Sequence, residues 1–254
     1  MEMRNPNLTA IIIAKNNETE IKDCLESVSW AGEIIVIDTG STDKTLDIAR
    51  KFTSKVFIFT RGSYSDWRNE GLKHSHGEWI LYVDTDERVT HSLKQEVTKL
   101  LNGYAVINTA YAIPRRNIIL GREMKHGGWL PDYVKRLFKR KNLKRWTGDL
   151  HEEPIFVGEI GYLKNSLVHI KHNNLSDMVT KTNIWSEVEA KLMYDAHHPP
   201  MNVIRFMTAI FREFWLRMIK QKAFLDGTEG VIYACYQVYS RFISYAKLWE
   251  MQMP

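Results

Sequence analysis

The stretch "WILYVDTDE", residues 79–87, decides the fold of the chain and points to its chemistry. Five apolar residues end directly in Asp84, Asp86 and Glu87. A continuous apolar run of this length is typical of a strand that is buried on both faces of a parallel sheet. The acids after it have two explanations: acidic turns often cap the next element, and an Asp-x-Asp pair also suits a hard cation such as Mg²⁺.

Strands and helices alternate through the first hundred residues. Apolar runs predict strands over 8–14, 33–38, 56–59 and 79–83. Apolar positions at helical spacing predict helices over 18–30, 42–52 and 66–74. This alternation predicts an α/β fold with a parallel sheet, whose ligands gather at the carboxyl ends of the strands. The polar segments at those ends are 15–18, 38–43 and 84–86.

In the rest of the chain the pattern of apolar residues changes at two points. Residues 104–172 contain short apolar runs broken by Gly, Pro and charge, which favours a mixed or antiparallel extension. After residue 172 the spacing becomes helical. The helix predicted over 201–222 has an apolar stripe with basic residues elsewhere, so it fits either packing on the protein or an interfacial membrane contact. The helix over 231–249 contains three polar or charged residues that make a membrane span unfavourable: Gln237, Arg241 and Lys247.

Composition and charge limit the class of protein. Two distant cysteines, Cys24 and Cys235, support neither a disulfide framework nor a thiolate zinc site. The net charge is −3 over residues 1–105, +7 over 106–172 and +1 over 173–254, so the middle of the chain is expected to attract an anionic partner. Phosphate-binding glycine motifs are missing from the sequence, and so are nucleic-acid recognition motifs. We therefore expect no nucleic-acid partner.

The first apolar run is too short for a signal sequence or a membrane span. This predicts a cytoplasmic protein, with a peripheral contact on the cytoplasmic face of the inner membrane left open.

Five stretches in this order carry a family resemblance: "LTAIIIAKNNE", "IIVIDTGSTDKT", "WRNEGLKHSHGEWILYVDTDE", "RLFKRKNLKRWTGDLHEEP" and "FLDGTEG". The chain resembles a family 2 glycosyltransferase, and within that family the bacterial lipopolysaccharide core β-1,4-glucosyltransferase group. The resemblance implies a GT-A fold, which is a Rossmann-like, mostly parallel sheet with helices on both faces, here followed by a helical C-terminal extension. It divides the chain into a GT-A domain over 1–172, with a nucleotide-binding half 1–105 and an acceptor half 106–172, and an extension over 173–254.

The resemblance also implies an activity. The enzyme would move a hexose, with inversion at the anomeric carbon, from a UDP-sugar such as UDP-glucose. The cofactor would be Mg²⁺ or Mn²⁺, and the acceptor an anionic saccharide or glycolipid, in particular an inner-core heptose of lipopolysaccharide.

Residue roles follow from the same resemblance. The implied nucleotide-sugar-binding residues are Asn16, Asn17, Glu18, Asp38, Arg68 and Asp84. Many relatives have two adjacent acids where this chain has Asp38-Thr39, so the atom that Asp38 contacts stays open. Asp86 matches the metal-binding acid, and Asp84 lies nearer the ribose or a metal-bound water.

The acceptor side needs a general base, because the attacking hydroxyl must lose its proton. Glu152 is the first candidate and Asp149 the second. His151 would orient the base or approach the metal, and Arg136 and Trp129 complete the predicted acceptor side. His169 and His172 are expected to be structural.

Other functions stay open at this point. The acceptor could be another glycan or a peptide, and the chain could be an inactive relative. A non-enzymatic basic protein that binds nucleic acid or membrane is the alternative of a different class.

Overall fold

The computed structural model describes residues 4–103, 107–148, 152–172 and 174–253. The chain divides into two compact units. The first comprises Met1–Arg116 and Asp132–His169, and the second comprises Asn117–Pro131 and Ile170–Pro254. The predicted domain boundary at residue 172 lies a few residues beyond the last division. The segment 117–131, which the prediction left in the GT-A domain, is part of the second unit.

The described strands and helices are as follows. The strands are β1 (Asn5–Ala14), β2 (Ala31–Asp38), β3 (Val56–Ile58), β4 (Trp79–Tyr82), β5 (Glu87–Val89), β6 (Ala110–Ile119), β7 (Arg122–Met124), β8 (Tyr133–Lys139), β9 (Leu143–Thr147), β10 (Glu153–Phe156), β11 (Ile160–Tyr162) and β12 (Leu167–His172). The α-helices are α1 (Ile21–Ser27), α2 (Thr45–Ala49), α3 (Tyr64–His74), α4 (His91–Leu101), α5 (Leu175–Asp195), α6 (Val203–Phe214) and α7 (Gly227–Gln252).

The main sheet has the strand order β3-β2-β1-β4-β8-β6-β12-β5. Its first four strands are parallel to one another. The sheet then becomes antiparallel, because β8 runs against both β4 and β6. A separate antiparallel pair joins β9 to β10. The predicted α/β class is confirmed, and the antiparallel second half agrees with the mixed extension expected from the sequence.

The side chains of β1 alternate between two apolar layers because successive residues of a strand point to opposite faces. Leu8, Ala10 and Ile12 pack in the layer that contains α1, whereas Ile11 and Ile13 pack in the other layer. Helix α3 covers the second face at Gly71, where an added Cβ would lie 2.4 Å from Ile11 Cγ2. Helices therefore cover both faces of the sheet, as predicted.

The second unit is mainly helical. Helix α6 continues into one π-helical segment, Trp215–Lys220, and a 3₁₀ turn, Ala223–Asp226, precedes α7. Asp226 is buried and accepts hydrogen bonds from the backbone N–H groups of Lys125 (2.9 Å) and His126 (2.7 Å), which anchors the chain after β7. The predicted helical C-terminal region is confirmed. Among the described residues, no helix combines the length and apolarity of a membrane span.

Candidate active site

The loops after β1 and β2 are adjacent because these strands are neighbours in the sheet. They hold each other through residues predicted to line a nucleoside pocket. The bonds join Asn16 Oδ1 to Thr42 N (2.8 Å), Asn17 N to Thr45 Oγ1 (2.8 Å) and Glu18 Oε2 to Lys44 N (3.1 Å). These three residues fix the frame of the predicted pocket, and their contact with a nucleotide stays a prediction.

Asp38 ends β2 with a half-satisfied buried carboxylate. The residue is 1% exposed, and its Oδ2 accepts hydrogen bonds from the backbone N–H groups of Gly40 (3.0 Å) and Ser41 (3.0 Å). Its Oδ1 has no partner among the described residues. A buried acceptor without a donor is unfavourable. This oxygen is therefore suited to receive an N–H or O–H group of a ligand.

Two arginines hold Asp84, the first acid after β4. Arg68 Nη2 lies 3.1 Å from Asp84 Oδ1, and Arg136 Nη2 contacts Asp84 Oδ2. Desolvation alone would raise the pKa of this carboxyl, but the guanidinium groups of Arg136 and Arg68 lower the pKa well below its usual range. Both oxygens of Asp84 already accept hydrogen bonds, so any metal would have to share this carboxylate with arginine.

The charges continue from Asp84 along a chain of alternating sign. Glu87 is fully buried, and its Oε1 lies 3.2 Å from Arg136 Nη2 and 3.4 Å from Arg115 Nη1. Arg115 then forms a bidentate pair with Asp132 at 3.0 and 3.1 Å. Sequence analysis did not find this role of Glu87, which appeared there only as one acid in a cluster.

Arg68 also contacts Glu152, the first candidate for the base. Its Nε and Nη2 lie 3.3 and 3.0 Å from Glu152 Oε1. The guanidinium carbon stacks 4.8 Å above the centroid of the Trp146 ring, and Arg68 is only 2% exposed. Arg68 therefore bridges the Asp-x-Asp motif and Glu152. The other candidates on this segment, Asp149 and His151, lie outside the described residues.

Helix α3 positions the strand that leads to Glu152. Asn69 Nδ2 donates to the carbonyl of Trp146 (3.0 Å), and the Trp146 N–H donates to Asn69 Oδ1 (2.7 Å). One turn earlier, Ser65 Oγ donates to the carbonyl of Gly148 (2.5 Å). One helix thus presents Arg68 and also holds the backbone just before the predicted base.

Asp86 lies beside a histidine that the sequence did not assign to the site. His169 Nε2 is 3.3 Å from Asp86 Oδ2. The register of β12 and β5 explains this contact, because His169 is paired with Glu87. The His169 side chain is 8% exposed and that of Asp86 is 38% exposed, so a ligand can reach the carboxylate. From the sequence His169 is expected to be structural, and a role of this histidine at a cation is a prediction that follows from its contact with Asp86.

These two residues fit a divalent cation that arrives with a phosphate ligand. A cation of this kind commonly takes one or two carboxylates and completes its shell with phosphate oxygens and water, and neutral histidine is a common metal ligand. Within the part of the chain that the structure describes, no group of three or more His, Cys, Asp or Glu side chains could hold a metal alone. Asp86 and His169 would be the protein ligands, and the donor would supply the others.

An open cleft of about 420 Å³ lies next to the Asp84 network. Its walls include Asp84, Arg115, Lys135, Arg136, Trp146 and Glu152. The predicted acceptor-side residue Arg136 thus lines the same cleft as the predicted base. Trp129 belongs to the second unit, where its ring lies 5.2 Å from that of Tyr233 and 4.9 Å from Lys171 Nζ.

The sequence was compared with known families and proteins. The model of glycosyl transferase family 2 matches residues 9–166. An uncharacterized glycosyltransferase of Rickettsia bellii is 26% identical, and the match covers 99% of this chain and 89% of the relative. The lipopolysaccharide core biosynthesis glycosyltransferase LpsC of Rhizobium meliloti is 25% identical, with 96% of this chain and 92% of the relative covered.

Solved structures show a looser likeness. Glucosyl-3-phosphoglycerate synthase from Mycobacterium tuberculosis in complex with Mg²⁺ and UDP matches with a TM-score of 0.46 and 16% identity, over 76% of this chain and 80% of the other. Staphylococcus aureus TarS matches with a TM-score of 0.44 and 15% identity, over 95% of this chain and 54% of the other.

Proposed function

Because the chain belongs to glycosyltransferase family 2, we propose that it transfers glucose from UDP-glucose, with inversion, to an anionic saccharide of the lipopolysaccharide inner core. Family membership confirms the predicted enzyme class, a glycosyltransferase that uses a nucleotide sugar. The observation that carries the finer proposal is that Arg68 joins Glu152 to Asp84, the acid that follows the parallel strand β4 and precedes Asp86 by two positions.

The donor side is supported by two features. Asp38 Oδ1 is buried without a partner in the described structure and would accept a hydrogen bond from the uracil or ribose of the donor. Asp86 and His169 would hold Mg²⁺ or Mn²⁺. When bound, the cation supplies positive charge against the diphosphate that leaves.

Glu152 would take the proton of the acceptor hydroxyl. A general base must be ionised before the reaction, and the guanidinium of Arg68 at 3.0 Å is its counter-ion. Because Arg68 is buried and stacked on Trp146, it also fixes where the carboxylate can lie. In this proposal Arg68 is a positioning residue and Glu152 is the catalytic residue.

The acceptor assignment rests on charge and on one relative. The net charge of +7 over residues 106–172 favours an anionic acceptor. The three basic residues that line the cleft, Arg115, Lys135 and Arg136, are each already paired with a carboxylate. LpsC is named as a lipopolysaccharide core glycosyltransferase, and on this basis we place the reaction on an inner-core heptose. The proposal includes a cytoplasmic location with peripheral contact on the inner membrane.

The test is a transfer assay with purified protein and Mg²⁺ or Mn²⁺. A panel of UDP-sugars and other nucleotide sugars is offered with heptose-containing core oligosaccharide, and released UDP and glycosylated product are both measured. Glu152→Gln should keep UDP binding and lose transfer by a factor of about 10²–10⁴. The matched control is Glu159→Gln, which changes an exposed acid outside the cleft.

Near-full transfer by Glu152→Gln would remove Glu152 from its role. If another nucleotide sugar is preferred, or a glycan without anionic groups is a better acceptor, the donor or acceptor assignment is wrong and the family membership is unaffected.

A further inference from the structure

One helix of the second unit exposes a contiguous apolar face. This surface, which we call the α6 face, consists of Val203, Ile204, Met207, Phe211, Phe214 and Trp215. The six residues are between 40% and 77% exposed. At 3.6 residues per turn, the five positions within α6 fall in an arc of roughly 100°, and Trp215 follows as the first residue of the π-helical segment. A contiguous apolar patch of this kind indicates an interaction site, whereas scattered exposed apolar residues are ordinary.

Helix α5 provides the contrast within the same unit. It also exposes apolar side chains, including Val179 (46%), Ile184 (58%) and Leu192 (50%). On a helical projection these three and the other exposed apolar residues of α5, Leu175, Trp185 and Tyr194, spread over roughly 280°. They form no stripe, so exposure alone does not distinguish α6, but the arrangement of its apolar residues does.

Two basic side chains lie on the polar side of the same helix: on the projection, Arg212 and Arg205 fall roughly 80° and 100° beyond Ile204, which is at one edge of the apolar arc. Arg205 and Arg212 are exposed, and neither guanidinium contacts a carboxylate in the described part of the chain. By contrast, Arg217 on the same helical run pairs with Glu213 at 2.8 Å. Arg205 and Arg212 also line an open cleft of about 300 Å³ together with His198. A helix with an exposed apolar face and arginines without carboxylate partners on its polar face is typical of helices that lie in the interface of an anionic membrane.

We propose that the α6 face docks the chain on a bilayer that contains anionic lipid. The apolar residues would enter the boundary between headgroups and acyl chains, and Arg205 and Arg212 would contact lipid phosphates. Trp215, stacked on Phe211 at 6.1 Å, would lie at the headgroup level, where aromatic side chains are favoured. This inference rests on the proposed function only in that it names the surface through which the enzyme would meet its membrane.

The experiment is vesicle flotation of the full chain without donor or acceptor. One set of vesicles contains phosphatidylglycerol and phosphatidylethanolamine, and the other contains only phosphatidylcholine. The wild type should float with the anionic vesicles, and less so at high salt, because screening weakens its contacts with phosphate. Ile204→Gln with Phe211→Gln should lower the partition coefficient by about tenfold or more.

Two further variant pairs make the test specific. The control, Ile184→Gln with Leu192→Gln, removes two apolar side chains of comparable exposure from α5 and should float like the wild type. Arg205→Gln with Arg212→Gln should bind anionic vesicles about tenfold more weakly and leave the weak binding to phosphatidylcholine unchanged. Circular dichroism confirms that each variant is folded.

Three results would overturn the proposal: no flotation of the wild type with anionic vesicles, equal losses in the α5 and α6 pairs, or a wild-type dimer that the α6 pair converts to a monomer. The last result would assign the face to a second copy of the chain. Because flotation needs no sugar nucleotide, each of these outcomes leaves the transfer assay to be judged separately.

Discussion

Replacing Arg68 with methionine should destabilise the first unit through the acids that it joins. Arg68 is 2% exposed and directs three N–H···O contacts of 3.0–3.3 Å at Asp84 and Glu152. Removing one partner of a buried ion pair typically destabilises a protein by about 3–5 kcal/mol. Asp84 keeps Arg136, and Glu152 stays partly hydrated at 20% exposure, so we expect the lower end, about 3 kcal/mol.

A double-mutant cycle separates the charge effect from lost packing. Glu152→Gln alone should change the free energy of unfolding by about 1 kcal/mol, because Arg68 still pairs with Asp84. In the double variant no carboxylate is left unpaired at position 152. The combined loss should therefore be smaller than the sum of the single losses by about 1–2 kcal/mol.

The assay is urea unfolding followed by tryptophan fluorescence, since guanidinium chloride would screen the charges under study. The control cycle uses Lys22 and Glu26, an exposed pair at 3.7 Å, for which we expect a coupling below about 0.5 kcal/mol. A coupling between Arg68 and Glu152 no larger than that of the surface pair would refute the view that Arg68 holds the base.

Further predictions concern the pH dependence of stability, the hydrogen bonds of Asn69 to β9, UDP binding at Asp38 and metal binding at Asp86. Burial lowers the pKa of His172 to about 4, and unfolding restores a value near 6.5, so stability should fall by up to about 3 kcal/mol as the pH drops from 6.5 to 4. In His172→Gln, the free energy of unfolding should no longer show this fall between pH 6.5 and 4. Asn69→Ala removes the two hydrogen bonds to the backbone of Trp146 in β9 and should lower the free energy of unfolding by about 2 kcal/mol in urea titrations. An effect under about 0.5 kcal/mol would show that Asn69 does not hold β9 in place. Asp38→Asn should weaken UDP binding about tenfold, measured by calorimetry. An unchanged affinity would mean that neither the uracil nor the ribose of UDP binds at Asp38. Asp86→Asn and His169→Gln should each weaken UDP-dependent Mn²⁺ binding by 10-fold or more in electron paramagnetic resonance, an estimate for loss of a ligand; unchanged binding of His169→Gln would leave that histidine structural.

Local patterns were sufficient for the half of the fold in which neighbours along the chain are also neighbours in space. The alternation of Ile11 and Ile12 between two apolar layers follows from the period of a strand. The placement of Asp38 and Asp84 at the same edge of the sheet follows from the rule for parallel strands, since β2 and β4 both run parallel to β1. Both features depend on short segments with continuous apolar runs, for which sequence is most informative.

Contacts between distant segments were beyond the same reasoning. Arg68 and Glu152 are separated by 84 positions, and no periodicity links them. His169 reaches Asp86 through β5, a strand of only three residues that follows the acidic turn without an apolar run of its own. The same limit explains why 117–131 was left with the first domain, since membership of a compact unit is decided by contacts with α5 and α7 that lie far along the chain.

The charge balance of the site bears on why the donor should arrive with a metal. Among the residues that the structure describes here, four carboxylates, those of Asp84, Glu87, Asp132 and Glu152, face the guanidinium groups of three arginines, at positions 68, 115 and 136. Asp86 adds a fifth carboxylate, so a diphosphate alone would enter a region that already has excess negative charge. A divalent cation held by Asp86 would neutralise that excess at the place where the leaving group gathers charge. The arginines cannot do this without leaving buried carboxylates unpaired, which is why we expect UDP and Mn²⁺ to bind with positive coupling.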